Sequence, residues 1–295
     1  MASNNLVPFI HKKTIFFAFL DANQAPEVFQ YFVKFLSEAY FVGAPTANPV
    51  LYLDVLGDFW NTTTTRTVVH ENQAAAIVIN CTIKGQQVEI LEDDVNKALG
   101  IPTDNLVEAP TQDELHEFMD FINYSERIKL ASMNRKYLRR EWSFLFDSVI
   151  RAFTCRKSGF DNISNIVQKL VYSMAHNKQI NVGHYILEEL STRLTMPLEL
   201  RGKEIFLPRF IMSAINYKVN DIHMLEGINR TLIGYCKQVS KILFGSLLIK
   251  NKVPVSLKLT PFMNERFKTY PYSMPDMRSS GNQSSTSMIP EPVEV

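Results

Sequence analysis

The stretch Ala76-Ile-Val-Ile-Asn-Cys-Thr-Ile-Lys-Gly-Gln-Gln-Val-Glu-Ile-Leu-Glu-Asp-Asp-Val-Asn-Lys-Ala-Leu-Gly-Ile-Pro102 changes its hydrophobic period midway. Ile77, Ile79, Cys81 and Ile83 are each separated by one residue, Lys84-Gly85 supplies a turn, and Val88 and Ile90 alternate again. A period of two around a glycine-bearing turn predicts a β-hairpin. With Thr67-Val-Val69 upstream, a third short strand is expected. At Leu91 the period lengthens. Val95, Ala98 and Leu99 share one face of a short acidic helix that Gly100 and Pro102 close.

On both sides of this hairpin the spacing is helical. Upstream, Val28, Phe29, Phe32, Phe35 and Leu36 make one apolar face over Pro26–Ala39, and Gly43-Ala-Pro45 breaks the chain. Asn48-Pro49 is read as an N-cap followed by proline at the first helical position, opening a helix through Trp60 that the Thr62–Thr65 run stops. Downstream, Thr111 and Glu114 form a capping box ahead of Leu115, Phe118, Met119 and Ile122. A long helix is expected from about Asn134, with Leu138, Trp142, Leu145, Val149 and Phe153 as its buried stripe. Asp161 and Asn181 are read as caps of two further helices, and Phe206-Leu-Pro208 leads into another. A last helix is expected over about Leu225 to Ile249. From Asn251 to Val295 six prolines and seven serines replace the apolar periodicity, so a disordered tail is predicted.

The fold class that follows is mainly α: a multi-helix globular domain with one small antiparallel hairpin or three-strand sheet near residues 66–90. The expected organisation is a partly ordered N-terminal segment (1–24), a helical domain (25–250) and the tail (251–295). With 46% apolar residues, 20 Phe and 11 Tyr, 295 residues can bury a substantial core. The run Ile15-Phe-Phe-Ala-Phe-Leu20 after Lys12 and Lys13 is too short for a signal-peptide core, and no apolar run is long enough to span a bilayer. An intracellular protein, nuclear or cytoplasmic, with no membrane partner is the expectation. Cys81, Cys155 and Cys236 are odd in number and widely spaced, which reads as reduced, buried thiols.

The net charge of +1 hides a reversal. Residues Glu89–Glu126 hold eleven carboxylates against Lys97 alone, whereas Arg127–Lys157 hold nine cations against Glu141 and Asp147. Such asymmetry points to an anionic partner or to an internal clamp between the two blocks. Within the basic block, Arg135 with Arg139 and Lys136 with Arg140 are i,i+4 pairs. On one helix, anchored by Leu138 and Trp142, these four are the candidate contacts to phosphate or to an acidic protein surface.

Catalytic signatures are sparse. Among His11, His70, His116, His176, His184 and His223 no HExxH or HxxxH spacing occurs. The chain has only 11 glycines and no phosphate-binding glycine motif, and GxSxG is missing too. No cofactor or metal is called for. The contiguous Glu92, Asp93 and Asp94 suit a helix N-terminus, where negative charge offsets the dipole, better than a two-metal centre.

Several stretches together resemble a known family. They are Val88–Pro102, Leu138-Arg-Arg-Glu-Trp-Ser-Phe-Leu-Phe146, Ser164-Asn-Ile-Val-Gln168, Ile180-Asn-Val-Gly-His184 and Phe206-Leu-Pro-Arg-Phe-Ile211. Over roughly Val28 to Leu248 the chain resembles the plant transposon protein domain family and, more distantly, is similar to the plant mobile domain. The resemblance implies a mobile-element or retrotransposon-associated origin and brings no catalytic residues with it. The reading is a non-enzymatic helical domain acting by nucleic-acid or protein binding. A transposase-related enzyme or its inactive remnant, and a capsid-like structural assembly protein, are the alternatives.

Overall fold

The computed structural model describes residues 8–10, 16–17, 23, 27–69, 75–124, 133–138, 140–154, 161–219 and 237–238. In chain order its elements begin with β1 (Phe16–Phe17), α1 (Glu27–Ser37), α2 (Gly43–Thr46) and α3 (Leu53–Thr62). Three strands follow, β2 (Thr64–Val68), β3 (Ala76–Ile83) and β4 (Gln86–Ile90), then α4 (Glu92–Ala98) and α5 (Gln112–Phe121). After β5 (Met133–Asn134) and a 3-10 turn (Arg135–Tyr137) come α6 (Arg140–Phe153), β6 (Asn162–Ile163) and α7 (Asn165–His176). The series closes with α8 (Val182–Leu194), α9 (Leu198–Arg201), α10 (Pro208–Lys218) and β7 (Lys237–Gln238). The class is the one read from the sequence, mainly α with a small three-stranded sheet.

The sheet has the order β2-β3-β4 and both of its pairings are antiparallel. Lys84 and Gly85 both take positive φ, 49° and 82°, as a two-residue hairpin turn requires. The Lys84 N–H donates to Asp58 Oδ2 at 2.9 Å and its ammonium lies 3.3 Å from Asp54, which ties the turn to α3. Ile79, Cys81, Ile83, Val88 and Ile90 sit on the buried face. Cys81 is among them; burial pushes its thiol up to about 12, an inert packing residue.

The acidic helix α4 is wedged deeply into the domain. A Cβ at Gly43 would lie 1.6 Å from the Leu99 carbonyl oxygen, and one at Gly183 would lie 2.2 Å from that of Glu92. Backbone therefore crosses α4 at both ends, where only glycine leaves room. Around it one continuous core joins helix to sheet, with Trp60, Phe35, Phe41, Phe59, Phe146 and Phe210 all but fully buried.

Two arginines close this core by capping helix ends. Arg209, 4% exposed, donates to the carbonyls of Ala44 and Pro45 in α2, of Ala47 just after it, and of Ala152 near the end of α6. Arg201 donates to Trp60 near the end of α3 and to Leu194 at the end of α8, at 2.5 and 2.6 Å. A guanidinium suits both places, because orphan C-terminal carbonyls carry the negative end of the helix dipole.

Four local expectations change. Asn48-Pro49 opens no helix: the chain stays extended to Tyr52, carrying Leu51 into the core, and α3 starts at Leu53. Asp161 does not cap α7, whose N-cap is Ser164. The helix expected from Asn134 begins only at Arg140. Of the helix expected over 225–249, the described residues Lys237 and Gln238 instead pair in parallel with Phe16 and Phe17. The rest of that segment and the predicted tail lie outside the described residues.

Candidate functional site

The sequence places its candidate contacts at the head of α6, and there the structure is a pinned turn. Asn134 pairs with Asn162, and its side chain accepts from the Lys136 N–H at 3.0 Å, so the cap is real but starts a single 3-10 turn. The Arg135 N–H donates to the Asp161 carbonyl at 2.6 Å. Leu138 is extended, and α6 then runs from Arg140 with Trp142, Leu145, Val149 and Phe153 buried as the periodicity requires. Tertiary pairing with residues 161–163 outcompetes the helical propensity of this stretch.

The four named cations therefore do not share one continuous helix. Arg135 sits in the turn, with its Nη1 on the Asp147 carboxylate and its Nη2 3.2 Å from Asp161 Oδ1. Lys136 is exposed, its ammonium 4.5 Å from the centre of the Tyr137 ring. Arg139 lies outside the described residues, and of Arg140 only the backbone is described.

What organises the turn is Asp147, which sequence reading counted but did not single out. Its side chain is 1% exposed and holds two guanidiniums, Arg135 and Arg151, the latter through Nε at 2.9 Å. Two cations on one buried carboxylate leave a local positive excess that Asp161, 66% exposed, offsets from the solvent side. Tyr124 completes the frame: its hydroxyl accepts from the Asn134 N–H at 2.9 Å and its ring meets Tyr137 edge-on.

Acidic residues have a separate set of partners. Asp93 pairs with Lys97, Asp94 with Lys218 and with the Leu91 N–H, and Glu92 with His184. Glu114 takes Lys178 and the Tyr172 hydroxyl at 3.0 Å each. The Thr111 N–H bond of the capping box, reinforced by those two, holds the Glu114 carboxyl down at about 2. The ion pairs of Glu92, Asp93, Asp94 and Glu114 run to His184, Lys97, Lys218 and Lys178, which lie outside the basic block. Among the described residues no three His, Cys, Asp or Glu side chains gather as a metal site would need, and no helix is long and apolar enough to cross a membrane.

Glu92 anchors the second polar cluster, at the joint of α4, α8 and β3. Its Oε1 accepts from the Ile77 N–H at 2.9 Å and meets His184 Nδ1 at 2.8 Å; its Oε2 accepts from Asn181 at 2.9 Å. Asn96 donates to Asn181 and accepts from the Gly183 N–H. Burial pushes Glu92 up, but the hydrogen bonds and the His184 charge outweigh it, leaving the carboxyl low. The same bond to Glu92 raises His184 against its own burial. A cavity of about 710 Å³ opens beside this cluster, with Arg66, Val68, Val78 and Leu106 among its walls. The cluster's hydrogen bonds run among its own members, so it reads as the tie between sheet and helices. Only the Asn181 cap of α8 was visible in the sequence; Glu92 and Asn96 lie 89 and 85 residues from Asn181.

No protein-family model, curated protein or solved structure matches this chain.

Proposed function

We propose that this chain is a non-enzymatic helical domain of plant mobile-element origin that works by binding, with the basic turn Arg135–Arg140 as its contact to the phosphates of a nucleic acid. The origin rests on the family resemblance alone. The binding surface rests on one observation: buried Asp147 fixes Arg135 in a turn pinned on both sides, which leaves Lys136 exposed at the head of the 14-residue α6. The positive end of the α6 dipole adds to the charge of Lys136, Arg139 and Arg140. Against the enzyme alternative stands the disposition of Glu92, Asp93 and Asp94, each drawn to a different partner around α4.

The test is binding of a fluorescent duplex across a salt series. Affinity should fall linearly on a log–log plot, and Lys136→Ala, Arg139→Ala and Arg140→Ala should each flatten the slope by about one phosphate contact. A salt-independent signal, or a triple variant binding like the parent, would overturn the reading. Strand cleavage that needs a divalent metal and disappears in Asp93→Ala would put the enzyme in its place.

A further inference from the structure

Arg135 is held by two carboxylates of opposite character. Asp147 is buried, and its pairing with Arg135 fixes the guanidinium from the protein side. Asp161 is 66% exposed and meets the same guanidinium from the solvent side at 3.2 Å. Asp161 stands in solvent while Arg135 is 22% exposed, so the contact is half-exposed, contributes little and yields to a competing anion. A guanidinium presents paired N–H donors that match phosphate as well as carboxylate.

We infer that the Asp161 carboxylate is an internal stand-in for phosphate: in the free protein it occupies the face of Arg135 that a phosphate group takes on binding. The exchange is a competition of two anions for one set of donors. Asp147 keeps the guanidinium in place while Asp161 swings away into solvent. The backbone around Asp161 does not need to move, because the Asp161 carbonyl accepts from the Arg135 N–H and Asn162–Ile163 pair with Met133–Asn134. Asp161 would then set the affinity of the turn, holding it below what its cations alone would give. This inference rests on the phosphate-binding reading and sharpens it to one residue.

The experiment is a double-mutant cycle on the 295-residue chain, read by anisotropy of a labelled duplex at low salt and by inorganic phosphate titration followed through thermal stability. Asp161→Asn removes the competitor and should tighten duplex binding about two- to fivefold, the scale of an exposed ion pair. Any nearby lost negative charge would also help a polyanion, so the gain must depend on Arg135. In an Arg135→Lys background, which keeps the charge but loses the fork, the gain from Asp161→Asn should vanish. If Arg135→Lys does not fold, phosphate titration decides instead: Asp161→Asn should show a larger stabilisation by phosphate than the parent. A duplex that binds with the usual salt slope but equally in parent and Asp161→Asn, with no larger stabilisation by phosphate in the variant either, overturns this inference and spares the broader reading. A parent that does not bind duplex at all overturns the broader reading. Gains in phosphate stabilisation without gains in duplex affinity would assign the site to free phosphate instead of a nucleic acid.

Discussion

Gly183 lies directly against the backbone of Glu92: a methyl group in place of its hydrogen would stand 2.2 Å from the Glu92 carbonyl oxygen and 3.0 Å from the Asn96 side chain. That contact is what lets α8 approach α4 closely enough for Asn181 and His184 to reach Glu92. Gly183→Ala should push the two helices apart and break those bonds together. A loss of about 1–3 kcal/mol is expected for such overpacking, and urea unfolding followed by circular dichroism measures it. A variant as stable as the parent would mean that the crossing is looser than these distances state.

Arg209 offers a second structural test. Its guanidinium is buried and satisfies four carbonyls from two separate parts of the chain. Arg209→Met keeps much of the volume but leaves those carbonyls without donors, and a loss of about 3–5 kcal/mol is expected, as for removing one partner of a buried charged contact. Arg209→Lys should recover little, since one ammonium cannot reach both helix ends. Thermal denaturation of both variants checks the ranking.

Local signals were legible in the sequence and distant ones were not, for a physical reason. Lys84-Gly85, the Thr111–Glu114 box and the Asn181 cap act within a few residues, and each does in the structure what its chemistry implies. Asp161 and Asn134 carry equally good capping chemistry, yet both belong to a pairing between segments far apart in the chain, which redirects Asp161 to Arg135. Arg209 follows Pro208 in a helix start and gives no sign of its partners, one of which is 165 residues away. The basic block announced itself as charge. That its organiser would be Asp147, one of only two acids among nine cations, could be read only from the packing of α6.

The Glu92–His184 pair predicts a pH window. Glu92 has a carboxyl lowered from its ordinary 4.5, so its contribution is present above that value and lost as pH falls through the lower folded-state value. His184 has an imidazole raised from 6.5, so its contribution is present below 6.5 and lost as pH rises through the higher folded-state value. The pair therefore stabilises most between about 4.5 and 6.5, where both groups are charged in either state. The difference in urea midpoint between parent and His184→Gln, measured from pH 4 to 9, should peak in that window and shrink above it. A difference that is flat with pH would assign the contact to neutral hydrogen bonding alone.

Asp147 and Asp161 both touch Arg135, but they should answer mutation very differently. Asp147→Ala removes a carboxylate that is 1% exposed and leaves Arg135 and Arg151 without the charge between them. Breaking a buried ion pair from one side costs about 3–5 kcal/mol. Asp147→Asn keeps the shape and one acceptor oxygen but turns an NH2 donor toward one of the two guanidiniums and loses the charge, and should fall in between. Asp161→Asn takes away only a solvent-side contact of a residue 66% exposed, so a change below about 0.5 kcal/mol is expected. Urea midpoints for the three variants, at unchanged slope, give the comparison. If Asp161→Asn were as damaging as Asp147→Ala, the solvent-side carboxylate would be part of the frame, and it could not be the anion that phosphate displaces.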